Sequence, residues 1–200
     1  MAVETEIKLR LRDLEDFRRR LKLLNPRLRS IRHFEENFVL DHPDGRLRSQ
    51  QCLLRVRKTK GGDSVTLKGP PLPSLLFKTR EEWETQLGSS DVMLKIFEQI
   101  GMTVWFRYQK YREEYSLRVG QGAAEELHVA LDSTPIGDFA ELEGSEGGIR
   151  EVAGKLGFTE SEFLRESYYS LFAQFCRQRG EEPGHMVFSA QDGRGSAGRQ

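Results

Sequence analysis

The chain is expected to fold as an α+β domain whose strands close into a barrel. Apolar and charged residues alternate at period two in segment after segment. Helical spacing is confined to a few short stretches between those segments. At 200 residues the chain is long enough for one domain with a real core and short for two.

Residues 2–12 open the pattern. Val3, Ile7, Leu9 and Leu11 fall on one side, and Glu4, Glu6, Lys8, Arg10 and Arg12 on the other. Asp13 is placed to cap a helix over 14–24, in which Leu14, Phe17, Leu21 and Leu24 recur at helical spacing before Asn25-Pro26 stops it. A strand is expected over 33–40, followed by the turn 41–45. Strands over 53–59 and 64–68 form a hairpin through Lys60-Gly61-Gly62-Asp63. Three prolines make 69–74 a loop, and 77–86 alternates again. Ser90 or Asp91 starts a helix that Gly101 ends. Strands are expected over 104–112, 114–119, 127–131 and 138–144, then a helix over 148–156 and a final helical stretch over 160–179. Residues 1–179 thus form the domain. The Gly-, Ser- and polar-rich residues 180–200 read as a disordered tail.

Lys plus Arg and Asp plus Glu stand at 31 each, a balance that argues against a general nucleic-acid partner. Cys52 and Cys176 are too far apart and too isolated for a disulfide framework or zinc site. No leader pattern opens the sequence and no apolar run approaches membrane-spanning length. A cytoplasmic protein without a membrane partner is expected.

The charges of the strands carry the functional information. Glu4, Glu6 and Lys8 share a face, as do Arg55 and Arg57, then Arg80, Glu82 and Glu84, then Lys110 and Arg112, then Glu141 and Glu143; Lys68 and Asp132 add to the set. A solvated face of a half-buried sheet is the plain alternative. Such faces mix in Thr, Ser, Gln and Asn, whereas these positions are almost all full charges. Like charges side by side repel, so a purely structural sheet gains nothing from them. Carboxylate pairs suit a hard divalent cation, and paired Arg and Lys suit phosphate. A metal–triphosphate complex supplies both.

The run Glu4-Thr5-Glu6-Ile7-Lys8 resembles the N-terminal strand of the CYTH family, the triphosphate tunnel metalloenzymes. Leu54-Arg55-Val56-Arg57, Thr66-Leu67-Lys68, the stretch from Lys78 to Glu84, Lys110-Tyr111-Arg112, the stretch from Asp132 through Gly137 and Phe139 to Glu141 and Glu143, and Ser167-Tyr168 follow in family order. The resemblance implies a closed eight-stranded antiparallel tunnel with flanking helices, acting on triphosphates with Mg²⁺ or Mn²⁺. By position it makes Glu4, Glu6, Glu141, Glu143 and Asp132 candidate metal ligands. It assigns Lys8, Arg55, Arg57, Lys68, Arg80, Lys110 and Arg112 to phosphate. The candidate catalytic set is Glu4, Glu6, Lys8, Asp132, Glu141 and Glu143. Glu82 and Glu84 would line the same tunnel, with Lys78 at its mouth. His128 shares the parity of Asp132, and Arg165 is the nearest match to a basic residue that thiamine-triphosphatase members carry near their C-terminus.

Three functions follow. The first is a triphosphatase for a small-molecule triphosphate, monomeric or homodimeric. The second is a class IV adenylyl cyclase forming cyclic AMP and pyrophosphate; Phe38, Tyr108 and Phe139 could stack on a base or simply pack. The third is a non-catalytic polyphosphate- or nucleotide-binding module, which would have no use for the acidic set.

Overall fold

A computed structural model describes residues 2–120 and 125–189. Eight strands run β1 (Ala2–Leu11), β2 (Arg27–Asp41), β3 (Leu53–Thr59), β4 (Asp63–Lys68), β5 (Lys78–Leu87), β6 (Thr103–Val119), β7 (Glu125–Thr134) and β8 (Gly137–Glu143). All pairings are antiparallel, in the order β1-β5-β4-β3-β2-β6-β7-β8. β8 pairs back onto β1, with Lys8 opposite Glu141 and Glu6 opposite Glu143, so the ring closes.

Period-two alternation sorts the side chains. Ile7, Leu9 and Leu11 point out of the ring. They pack with Phe17 and Leu21 of α1 (Leu14–Lys22) and with Ile149, Val152 and Ala153 of α4 (Glu146–Lys155). Leu40, Leu54 and Val56 pack beneath α3 (Ser90–Gln99) in the same way. α2 (Arg46–Ser49) is a single turn that the sequence reading missed. At one end of the barrel the inward positions become apolar: Val39, Phe106 and Phe139 pack against Tyr168 and Leu171 of α5 (Tyr168–Gln178). Gly137 opens β8 at φ +124°, and its carbonyl accepts from Thr134 Oγ1 at 2.7 Å. That hairpin sets Glu141 beside Lys8 and brings Asp132 to the level of Phe139.

Several expectations change. The segments 104–112 and 114–119 are one continuous strand, because Glu113 points outward and accepts from Arg18 Nε at 3.0 Å rather than marking a turn. α3 is capped by Ser89, whose side chain accepts from the N–H of Val92. The stretch 160–179 is broken into a 3₁₀ turn at Glu160–Glu162 and α5. Between them Leu164 exchanges two 2.8 Å main-chain hydrogen bonds with Lys8, which draws the chain out of helical geometry, and Ser167 recaps it. Nor do residues 180–189 behave as a loose tail. Met186 is fully buried and pairs in parallel with Tyr108, covering the stretch of β6 that extends past β7. The remaining tail positions from 190 onward lie outside the described residues. No helix among the described residues is long and apolar enough to cross a membrane.

Candidate active site

The inward faces enclose a cavity of about 610 Å³, a volume typical of small-molecule sites. Its walls bring together Glu4, Glu6 and Lys8 of β1, Arg55 and Arg57 of β3, Lys68 of β4, Arg80, Glu82 and Glu84 of β5, Lys110 and Arg112 of β6, and Glu141 and Glu143 of β8. Lys78 and Arg165 line it as well. Of the ionisable residues expected on sequence grounds, Asp132 and His128 stand apart from it.

The reading of segregated acid pairs and base pairs does not survive the register. Parity fixes which face a side chain takes, but pairing fixes its neighbours, and across strands acids and bases interleave. Lys8 Nζ lies 3.3 Å from both Glu6 and Glu141, and Lys78 Nζ lies 2.9 Å from Glu6. Arg112 pairs with Glu141, and Lys68 with Glu82. Arg55 Nη2 donates to Thr66 Oγ1 at 3.0 Å and sits 3.5 Å from Glu84. Burial alone would raise the Glu6 and Glu141 carboxyls. Lys78 and Lys8 overcome it at Glu6, and Lys8 and Arg112 at Glu141, so both are held well below the usual carboxylate range.

Glu4 and Glu143 behave oppositely. Burial, reinforced by Glu143 and by a shared hydrogen bond with Glu82, pushes Glu4 up to about 8; its cation, Lys68, is 4.0 Å away. Burial and the Glu6 charge raise Glu143 too. This end of the cavity therefore holds more carboxyl groups than its lysines can keep ionised together. Among the described residues no three His, Cys, Asp or Glu side chains are already drawn to metal-ligand distance. The fit lies in the donors: oxygen ligands only, at the point where a divalent cation would relieve the repulsion.

Asp132 is a correction to the expected ligand set. It is fully buried, and its two oxygens accept from Arg112 Nε at 2.7 Å, Arg112 Nη2 at 2.6 Å, Lys110 Nζ at 2.8 Å and the Tyr168 hydroxyl at 2.6 Å. Such a carboxylate anchors cations; a metal would have to strip away its donors. His128 is exposed on β7, opposite Glu143 in register but outside the cavity wall. Arg165 donates from Nη1 to the Leu75 carbonyl at 3.4 Å. Phe38 faces outward beneath α3 and Phe139 is buried in the apolar plug, which leaves Tyr108 as the one cavity-lining member of that aromatic trio.

Three contributors escaped the sequence reading. Glu35, 2% exposed, stands 3.2 Å from Arg57 Nη1 and 3.6 Å from Lys110 Nζ. Asn37 accepts from Arg57 Nε at 3.0 Å. Tyr168 supplies the hydroxyl on Asp132. The signal for the first two was present, since Glu35 and Asn37 alternate with outward residues in the strand expected over 33–40. Neither belongs to a run of charges that would have marked it.

Comparison with known proteins agrees with this geometry. A Methanocaldococcus jannaschii protein named as a proposed adenylate cyclase is 28% identical over 180 residues, 84% of this chain and 98% of that protein. A Vibrio parahaemolyticus structure, also described as a proposed adenylate cyclase, superposes with a TM-score of 0.70 at 20% identity, covering 85% of this chain and 97% of that one. A Hippeastrum protein, a proposed adenylyl cyclase described as showing a dominant triphosphatase activity, superposes with a TM-score of 0.61 at 18% identity over 90% and 97% of the two chains. The family model for the CYTH domain matches residues 2–170, from the first strand to the start of the last helix, and the chain belongs to that family.

Proposed function

We propose that this protein hydrolyses a small-molecule triphosphate within the barrel, assisted by Mg²⁺ or Mn²⁺. The observation that carries the reading is a single cavity lined by the cations Arg55, Arg57, Arg80, Lys110 and Arg112 together with two carboxyls, Glu4 and Glu143, that their neighbours leave under-compensated. Arg57 and Arg55 present guanidinium groups suited to two phosphate oxygens at once, and Lys8 reaches in as a point charge. Arg80 has no carboxylate within 4.0 Å among the described residues, and its buried Nε is unpartnered, so it can take a phosphate oxygen without breaking an ion pair. These fixed cations stabilise the charge that shifts among phosphate oxygens as water attacks in line. Glu4, Glu6 and Glu143 would hold the divalent cation, which when bound withdraws charge from the phosphate oxygens.

The relative at 28% identity favours cyclic AMP formation as the second reading. One experiment separates them. The protein is incubated with inorganic triphosphate, ATP and thiamine triphosphate, each with Mg²⁺ or Mn²⁺. Orthophosphate release is the expected result. Cyclic AMP with pyrophosphate would make it a cyclase, and tight binding without turnover a binding module.

Metal affinity should depend on pH with a definite sign. A carboxyl titrating at about 8 is neutral below that value, so the cation must displace its proton there. Affinity measured by titration calorimetry is expected to rise as pH increases from 6.5 to 9, with proton release at the lower values. In Glu4→Gln the slope should flatten. A wild-type affinity that stays level across this range would remove Glu4 from the metal site.

A further inference from the structure

The segment that closes the domain grips the ionic wall at more than one point. Leu164 is tied to the Lys8 backbone in both directions, and Ser167 caps α5 by accepting from the Ser170 N–H at 3.1 Å. This fixes the first helical residue, Tyr168, which is 6% exposed and turned toward the cavity. Lys8 Nζ lies 5.4 Å from its ring centroid and Lys110 Nζ 5.3 Å. Its hydroxyl donates to Asp132, the carboxylate that also takes Lys110 and Arg112. One side chain thus reaches two lysines directly, on β1 and β6, and an arginine through Asp132.

An aromatic face differs from a carboxylate as a support for an ammonium. The ring attracts the cation through its quadrupole, neither neutralising it nor occupying a particular N–H. The ring thus adds a hold on each ammonium without taking a further N–H, beyond those that Lys8 turns to Glu6 and Glu141 and Lys110 gives to Asp132. We propose that Tyr168 is a positioning residue for the phosphate-binding cations: its ring sets the Lys8 and Lys110 ammoniums, and its hydroxyl orients the Asp132 carboxylate that aims Lys110 and Arg112. This assignment rests on the triphosphate reading above.

The test uses the full chain and the variants Tyr168→Leu, Tyr168→Phe and Phe172→Leu, the last a packing change on the same helix, where Phe172 meets Phe106. Affinity for inorganic triphosphate is measured by calorimetry, and the ε-methylene proton shifts of Lys8 and Lys110 by NMR on lysine-labelled protein. Tyr168→Leu should weaken binding by about tenfold and abolish the upfield ring-current shift of both lysines. Tyr168→Phe should keep the shift and lose about threefold in affinity, the hydroxyl's share. Phe172→Leu should stay within about twofold of wild type even if it lowers the melting temperature. Unchanged affinity in Tyr168→Leu, or an equal loss in Phe172→Leu, overturns the assignment. If the wild type binds no triphosphate, the functional reading fails separately. The lysine shifts still decide the role of Tyr168, since their absence in the wild type overturns it.

Discussion

Asp132→Ala is expected to destabilise the protein by about 3–5 kcal/mol, the usual effect of removing one member of a buried ion pair. The side chain is fully buried and accepts from Lys110, Arg112 and Tyr168. Lys110 is itself 1% exposed, so its charge would be left in the interior with only Glu35, 3.6 Å away, to offset it. Arg112 would keep Glu141. In a chain of this size the loss corresponds to a fall in melting temperature of roughly 10 °C. Urea denaturation checks it: the midpoint should drop with the slope unchanged. Asp132→Asn retains an acceptor and should lie between the variant and the wild type. A variant as stable as wild type would show that Asp132 is not the anchor of the cation row.

The second large effect concerns turnover. Glu6→Gln keeps shape and removes a charge that lies 2.9 Å from Lys78 and 3.3 Å from Lys8. On the proposed reading it removes a metal ligand and leaves both lysines less well fixed. At limiting Mg²⁺ or Mn²⁺ the turnover number should fall by at least about 10²-fold, with partial recovery at high metal. The measurement is steady-state kinetics at two metal concentrations. A wild-type rate at limiting metal would take Glu6 out of the site. Folding should be much less affected than in Asp132→Ala, because Lys8 retains Glu141, and Lys78, whose pKa burial lowers to about 8, can give up its proton once Glu6 is neutral.

Much of the barrel and its lining was legible because alternation fixes which face each side chain takes. Glu4, Glu6, Lys8, Arg57, Lys110 and Glu141 all point inward; periodicity put each set on one face, and the near-exclusive use of full charges with the family-like motifs turned that face toward a cavity. Who meets whom was not legible. That Lys8 faces Glu141, or that Arg112 reaches Asp132, depends on pairings more than a hundred or some twenty residues apart in sequence. The role of Asp132 was misread for that reason: a lone acid in a family-like motif resembles a ligand until its three donors are seen. Segment 163–167 was misread for another, since its helical composition yields to two hydrogen bonds exchanged between Leu164 and Lys8 that no local pattern announces. Glu35 and Asn37 were overlooked although they alternate with outward residues, because Glu36 between them is polar as well and blurs the contrast between the two faces.

The pairing of β8 with β1 also bears on how the molecule assembles. Strand β1 has both of its neighbours far downstream, β5 at residue 78 and beyond and β8 at 137 and beyond. Contacts of such long range are slow to form. Glu4, Glu6 and Lys8 are therefore expected to join the other charges late, and the capacity to capture an anion should emerge near the end of folding rather than build up gradually.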